Sequence, residues 1–224
     1  MREVRRKGLK FDFKDMIGYL MHKLLFCGAD PGNSSELSEQ EINAVKEVWA
    51  RARTGDIGVK ILSALIEKKP AFAVYYGFKT TVVSADLLAE KSFILQAHRI
   101  QDFLETAVSS LGLSPDDVIH RMSYRIGQVH YYKGVNFGAD NWLVFKKATI
   151  EQVMAAPKKA SIFRNGSNKE FNLTENNFDT IQNGNQRQYQ AIAGWNKLMS
   201  MVVREMKRGF LEEARRNCGD DTGA

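Results

Sequence analysis

The chain has 224 residues, with 32 basic and 26 acidic side chains and a formal net charge of +6 at neutral pH. Two cysteines exclude a disulfide scaffold and suit a reducing cytosol, and no apolar run approaches the length that crosses a bilayer. The N-terminal MREVRRKGLKFDFKD lacks the apolar core of a secretory leader. The charges are scattered rather than striped, so they read as a solvated surface rather than a nucleic-acid face.

Residues 1–36 read as an extension. MREVRRK is basic, and FKDMIGYLMHKLLF at 13–26 has an amphipathic pattern with Ile17, Leu20, Met21, Leu24 and Leu25 on one face. GADPGNSS then breaks the helix. Such a segment suits a helix docked on the body, or one lying on a membrane or partner. His22 lies on it with no neighbouring His, Cys or carboxylate cluster and is read as structural.

From residue 37 the pattern is helical, with no sustained alternation of period two. Helices are expected at about 38–53, 56–69, 70–76, 87–111, 115–132, 138–156 and 187–216. Ser38 is the expected N-cap of the first, with Gln40 or Glu41 in its first turn. The stretch 157–186 is rich in Asn, Gly, Ser and Lys and reads as a long loop. Residues 218–224 read as a disordered tail.

The most informative stretch is SPDDVIHRMSYRIGQVHYYKGVNFGADNW at 114–142. Ser114 suits an N-cap and Pro115 the first helical position, and Asp116 and Asp117 sit at the positive end of the helix dipole. Val118, Met122, Ile126, Val129 and Tyr132 form a stripe of helical period, and Gly134 marks a left-handed C-cap. His130 stands beside that stripe near the helix end, where an imidazole can reach a planar cofactor. A lone helical histidine is more often a hydrogen-bonded core residue than a ligand.

The run IGQVHYYKGV, followed by Asn141 and Trp142 at the start of the next helix, resembles the proximal-helix signature of the globins. LSEQEINAVKEVWARA at 37–52 is similar to a first globin helix with Trp49 facing inward. KKPAFAVYYGFK at 68–79 resembles the corner in which a proline opens a short helix, and AGWNKLMSMVVREMKRGF at 193–210 resembles a last globin helix. Invertebrate, nematode-type and neural globins are the branches it looks most like.

The resemblance implies an all-α globin fold, three helices over three, spanning 37–217, with an extra N-terminal helix and the long loop before the last helix. It implies one haem b, held non-covalently because no Cys-x-x-Cys-His motif is present. His130 would be the proximal iron ligand and His98, in SFILQAHRIQDFLETAV, the distal one, 32 residues earlier. Tyr76 takes the place of the aromatic that packs on the haem. Phe78, Leu95, Leu104, Phe137 and Phe145 are expected pocket walls, each equally suited to an ordinary core position. His120, nearly three turns from His130, is too far away to share its iron. One feature departs from the family. The stripe Ile100, Phe103, Leu104, Ala107, Val108 and Leu111 leaves His98 to one side and, taken literally, puts Arg99 in the distal place. Asp102 stands one turn after His98, where the family has an apolar residue.

Two axial imidazoles favour electron transfer, or redox or gas sensing, over bulk oxygen carriage. The alternative is a reversible oxygen-storing or oxygen-carrying globin with one protein ligand. A haem enzyme, such as a nitric-oxide dioxygenase or peroxidase, is the enzymatic alternative; it would need an electron supply, and no GxGxxG motif provides a nicotinamide or flavin domain, so no enzyme is expected. The expected partners are a diatomic gas (oxygen, nitric oxide or carbon monoxide) or an electron donor or acceptor, in the cytoplasm. A cofactor-free helical binding protein is the third reading.

Overall fold

The computed structural model describes residues 35–76, 88–135, 139–157 and 176–218, with only the backbone described for Tyr76, Ala139 and residues 176–184. These residues form α1 (Glu39–Ala52), α2 (Ile57–Lys68), a 3₁₀ segment (Pro70–Tyr76), α3 (Lys91–Ser110), α4 (Asp117–Tyr132), α5 (Ala139–Met154) and α6 (Asn176–Cys218). The fold is all-α, as expected, and no strand occurs among the described residues. The amphipathic segment 13–26, Cys27 and residues 219–224 of the expected tail lie outside them, whereas Cys218, expected in that tail, ends α6.

Local chemistry explains where the helices start and stop. Ser38 caps α1 with a full capping box: its hydroxyl accepts from the Glu41 amide while the Glu41 carboxylate accepts from the Ser38 amide at 2.8 Å. Ile42, Val45, Val48, Trp49 and Ala52 then recur at helical spacing and are all buried. The corner to α2 turns through Asp56 at φ 48°, a left-handed conformation that Asp tolerates better than most residues. α2 ends where Pro70 forbids the preceding residue a helical conformation, and Lys69 adopts φ −139°, ψ 78°.

Two helix crossings are made close by glycine. A Cβ on Gly58 of α2 would lie 2.0 Å from the carbonyl oxygen of Ala97 on α3. On α4 and α6 the relation is reciprocal. A Cβ on Gly127 would lie 2.0 Å from the Met206 carbonyl oxygen, and one on Gly209 would lie 2.0 Å from that of Tyr124. Backbones that touch in this way fix both the crossing point and the rotation of each helix about its axis.

α6 is the organising element, packing along α4 and against α1 and α5, while α2 packs on α3, α5 and the 3₁₀ segment. The core divides accordingly. A large cluster centred on Trp195, Leu198, Met199 and Val202 joins α6 to α1, α4 and the second half of α3. A smaller one gathers Leu62, Leu65, Phe72, Phe93 and Ala97 between α2, the 3₁₀ segment and the start of α3. Phe145 of α5 packs against both.

Three boundaries differ from expectation. α3 begins at Lys91 rather than about 87. α4 begins at Asp117, and Ser114 does not cap it. Asp116 is only 6% exposed and turns outward from the helix, accepting from the Ser35 hydroxyl at 3.0 Å and the Glu36 amide at 2.7 Å. α6 begins at Asn176, so residues 176–186 of the expected loop are helical. Asn and Gly favour loops locally, but a helix already nucleated by a packed segment extends at low cost.

Candidate functional site

His130 is the best-held of the candidate residues. It stands in the last turn of α4, partly exposed, with its Nδ1 2.8 Å from the carbonyl oxygen of Ile126. A carbonyl can only accept, so Nδ1 carries the proton, and in the neutral ring Nε2 carries the lone pair. Burial lowers the imidazole pKa, and the Ile126 hydrogen bond opposes that shift. The ring of Trp142 meets it edge-on, centroids 5.9 Å apart.

The backbone of His130 is fixed as well. α4 ends in a Schellman motif around Gly134, which adopts φ 67° as expected for a left-handed C-cap. The Val135 amide donates to the His130 carbonyl at 3.0 Å and the Gly134 amide to the Tyr131 carbonyl at 2.9 Å. Across the interface the Gln128 amide donates to Glu213 at 2.7 Å, and the Tyr132 hydroxyl donates to the same carboxylate. Glu213 is buried. The Tyr132 bond foremost, with Gln128 and Arg216, holds its carboxyl below the usual range against the opposing effect of burial. Residues on both sides of His130 are thus bolted to α6.

The other expected residues are distributed differently. His98 is exposed and lines a shallow hollow of about 300 Å³ with Ala89, Lys91, Ile94 and Leu95. Leu95 is 51% exposed. Leu104 is fully buried in the large core cluster, and Phe145 is partly buried at the junction of the two clusters. Tyr76 closes the 3₁₀ segment and its side chain is not described. Phe78 and Phe137 lie outside the described residues. Of the expected pocket residues, His98 and Leu95 share a hollow, and no described contact joins either of them to His130.

The rotation of α3 is set by the Gly58–Ala97 contact. At about 100° per residue, His98 points some 160° away from Ile100, whereas Gln96 lies within about 40° of Ile100 and about 20° of Phe103. Gln96 and Ile100 are both partly exposed. The polar residue sharing a face with the stripe is therefore Gln96, not His98 or Arg99. The signal was present in the sequence, since Gln96, Ile100, Phe103 and Ala107 are spaced by four, three and four. Consecutive helices α3 and α4 scarcely touch one another, although each is packed firmly on other elements. Gln96 and Ile100 on α3 and Ile126 and His130 on α4 are among the partly covered residues of the two helices.

Among the described residues no three His, Cys, Asp or Glu side chains gather to hold a metal ion. A protein-only ion site commonly gathers about three or four side-chain donors, and the described residues form no such set around His130. An oriented, neutral imidazole beside apolar and aromatic side chains fits a metal already chelated by a planar macrocycle. No family model and no curated protein matches the chain. No helix among the described residues is long and apolar enough to cross a membrane.

Proposed function

We propose that this chain is a haem-binding globin in which His130 supplies the proximal axial nitrogen and the opposite face receives a diatomic gas. The observation carrying this reading is the Nδ1–H bond from His130 to the Ile126 carbonyl. It sets the tautomer and ring direction that a ligating imidazole needs and raises its basicity as a donor. When bound, the haem supplies an iron centre able to bind a small gas or exchange one electron. The chain's own residues hold the imidazole in register through the Schellman cap, and the Trp142 edge limits its rotation. Ile100 and Ile126 offer apolar surface that limits water, and Gln96 offers an amide donor. The helix order and the Pro70 corner support the globin reading of the all-α fold.

The exposed position of His98, turned off the Ile100 face, favours gas binding at an open position over two axial histidines. The redox reading with His98 as sixth ligand requires α3 to rotate about its axis by nearly half a turn. The Gly58–Ala97 contact opposes that rotation. Titrating hemin into the purified chain tests the proposal: one equivalent should produce a saturable Soret band. Absence of any Soret uptake refutes it, and a low-spin ferrous spectrum that His98→Leu abolishes returns the function to the two-histidine class.

A further inference from the structure

The outer face where α5 meets α6 carries a groove of about 440 Å³ that the candidate site does not use. Val203, 6% exposed, forms its floor. Leu143 on α5 and Leu211 on α6 are its walls, 52% and 49% exposed. The two leucines flank one recess rather than standing singly, so together with Val203 they offer apolar surface to a partner. The rim is cationic: Lys146, Arg204, Lys207 and Arg208 line it, and no acidic residue does.

These cations are not all equally mobile. Arg204 is fixed by Glu36 at 2.6 Å and Glu205 at 3.2 Å. Arg208 is fixed by Glu205 at 2.8 Å and lies over the Tyr124 ring at 5.1 Å. Lys146 donates to the Ser200 hydroxyl at 2.8 Å, and Lys207 has no acidic partner among the described residues. Two guanidinium groups are thus pre-positioned, and two flexible ammonium groups can follow an incoming carboxylate.

We propose that this groove docks an acidic amphipathic helix of a separate protein, its apolar side chains over Val203 and its carboxylates against Lys146 and Lys207, the two rim cations with no acidic partner among the described residues. From Ser200 to Leu211 the groove follows α6 for about 16 Å, the length of three helical turns. A helix laid in a groove fills a recessed floor, whereas a flat lipid surface would rest on the two leucines and leave Val203 uncovered. The acidic tail 219–224 has no apolar side chain larger than alanine to cover Val203, and charge disfavours the other occupants nearest to hand. Residues 1–34 carry seven basic against four acidic side chains, residues 158–175 carry four against two, and a second copy of the chain brings +6. All three are repelled by a cationic rim. Leu143 and Leu211 follow Trp142 and Phe210, whose rings lie 6.4 Å apart, and Trp142 contacts His130. An occupant would therefore sit one ring from the candidate ligand, but docking does not depend on haem.

The test uses the full chain and a synthetic helical peptide with leucines at i, i+3, i+4 and i+7 flanked by glutamates. Fluorescence anisotropy gives affinity, and amide shifts in labelled protein give location. We expect shifts at Leu143, Val203 and Leu211. The double variant Lys146→Glu/Lys207→Glu should bind about tenfold more weakly or worse, and a lysine-flanked version of the peptide should recover binding to it. Leu211→Ser, at an exposed position and checked for its native melting curve, should weaken binding even at high salt. Affinity unchanged in both variants overturns the proposal, as do unmoved groove resonances. So does finding that the groove variants instead abolish binding to phosphatidylserine vesicles or self-association by sedimentation.

Discussion

The Nδ1 of His130 donates a 2.8 Å hydrogen bond to the carbonyl oxygen of Ile126, one turn earlier on the same helix. The Ile126 carbonyl lies inside α4 and also serves the helix ladder, so the imidazole uses the second lone pair of its oxygen. The bond gives the ring a defined tautomer and direction, and the proposed function depends on that relationship.

If the sixth position is open and faces the Gln96 side of α3, the two distal candidates will respond differently. Gln96→Leu removes one hydrogen-bond donor near a bound gas and should speed oxygen release roughly fivefold to tenfold. His98→Leu should leave that rate unchanged. Stopped-flow displacement of oxygen by carbon monoxide measures both.

The glycine pair that brings α4 against α6 should be intolerant of even one methyl group. Gly127→Ala and Gly209→Ala each place a Cβ 2.0 Å from a carbonyl oxygen, so the helices must separate. Each should cost about 1–3 kcal/mol in urea unfolding, the usual range for overpacking. Gly127→Ala should also loosen haem retention, because it displaces the helix that carries His130.

Leu104 and Leu95, both expected pocket walls, should separate cleanly. Leu104 is fully buried, and Leu104→Ala should cost about 2–5 kcal/mol. Leu95 is 51% exposed, and Leu95→Ala should stay within about 0.5 kcal/mol of the parent.

Much of the fold was legible in the sequence for physical reasons. Ser38 and Glu41 make their capping box, the Trp49 stripe is buried, Pro70 ends α2, and Gly134 closes α4 in the left-handed conformation. Each is set by a few neighbouring residues. What the sequence left open needed tertiary information. Ser114 has the chemistry of an N-cap, but the buried Asp116 is drawn to Ser35 and Glu36, some eighty residues away in the chain. His98 was placed by its separation from His130, which says nothing about the rotation of α3. That rotation is fixed by Gly58, and the apolar stripe recorded it more faithfully than the spacing did. The start of α6 was hidden because Asn and Gly read as loop when the packed helix beyond them is not in view.

Acid should weaken the α4–α6 interface through Glu213. Its folded pKa is depressed, chiefly by the Tyr132 hydroxyl, so its contribution is fully present above its unfolded pKa of about 4.3 and is lost as pH falls through the folded value. Glu41, depressed foremost by Lys197, behaves with the same sign. Urea unfolding from pH 6 downward should show stability falling below about pH 4.3. Glu213→Gln should be less stable at neutral pH and show a shallower acid slope.

The most direct measurement is the Soret spectrum of His130→Gly, reconstituted with hemin in the absence and presence of free imidazole. The account predicts that the variant keeps its far-ultraviolet circular dichroism, loses the wild-type axial-ligand spectrum, and regains it when imidazole fills the space the side chain leaves. A His130→Gly protein whose hemin spectrum matches wild type without imidazole would contradict the assignment.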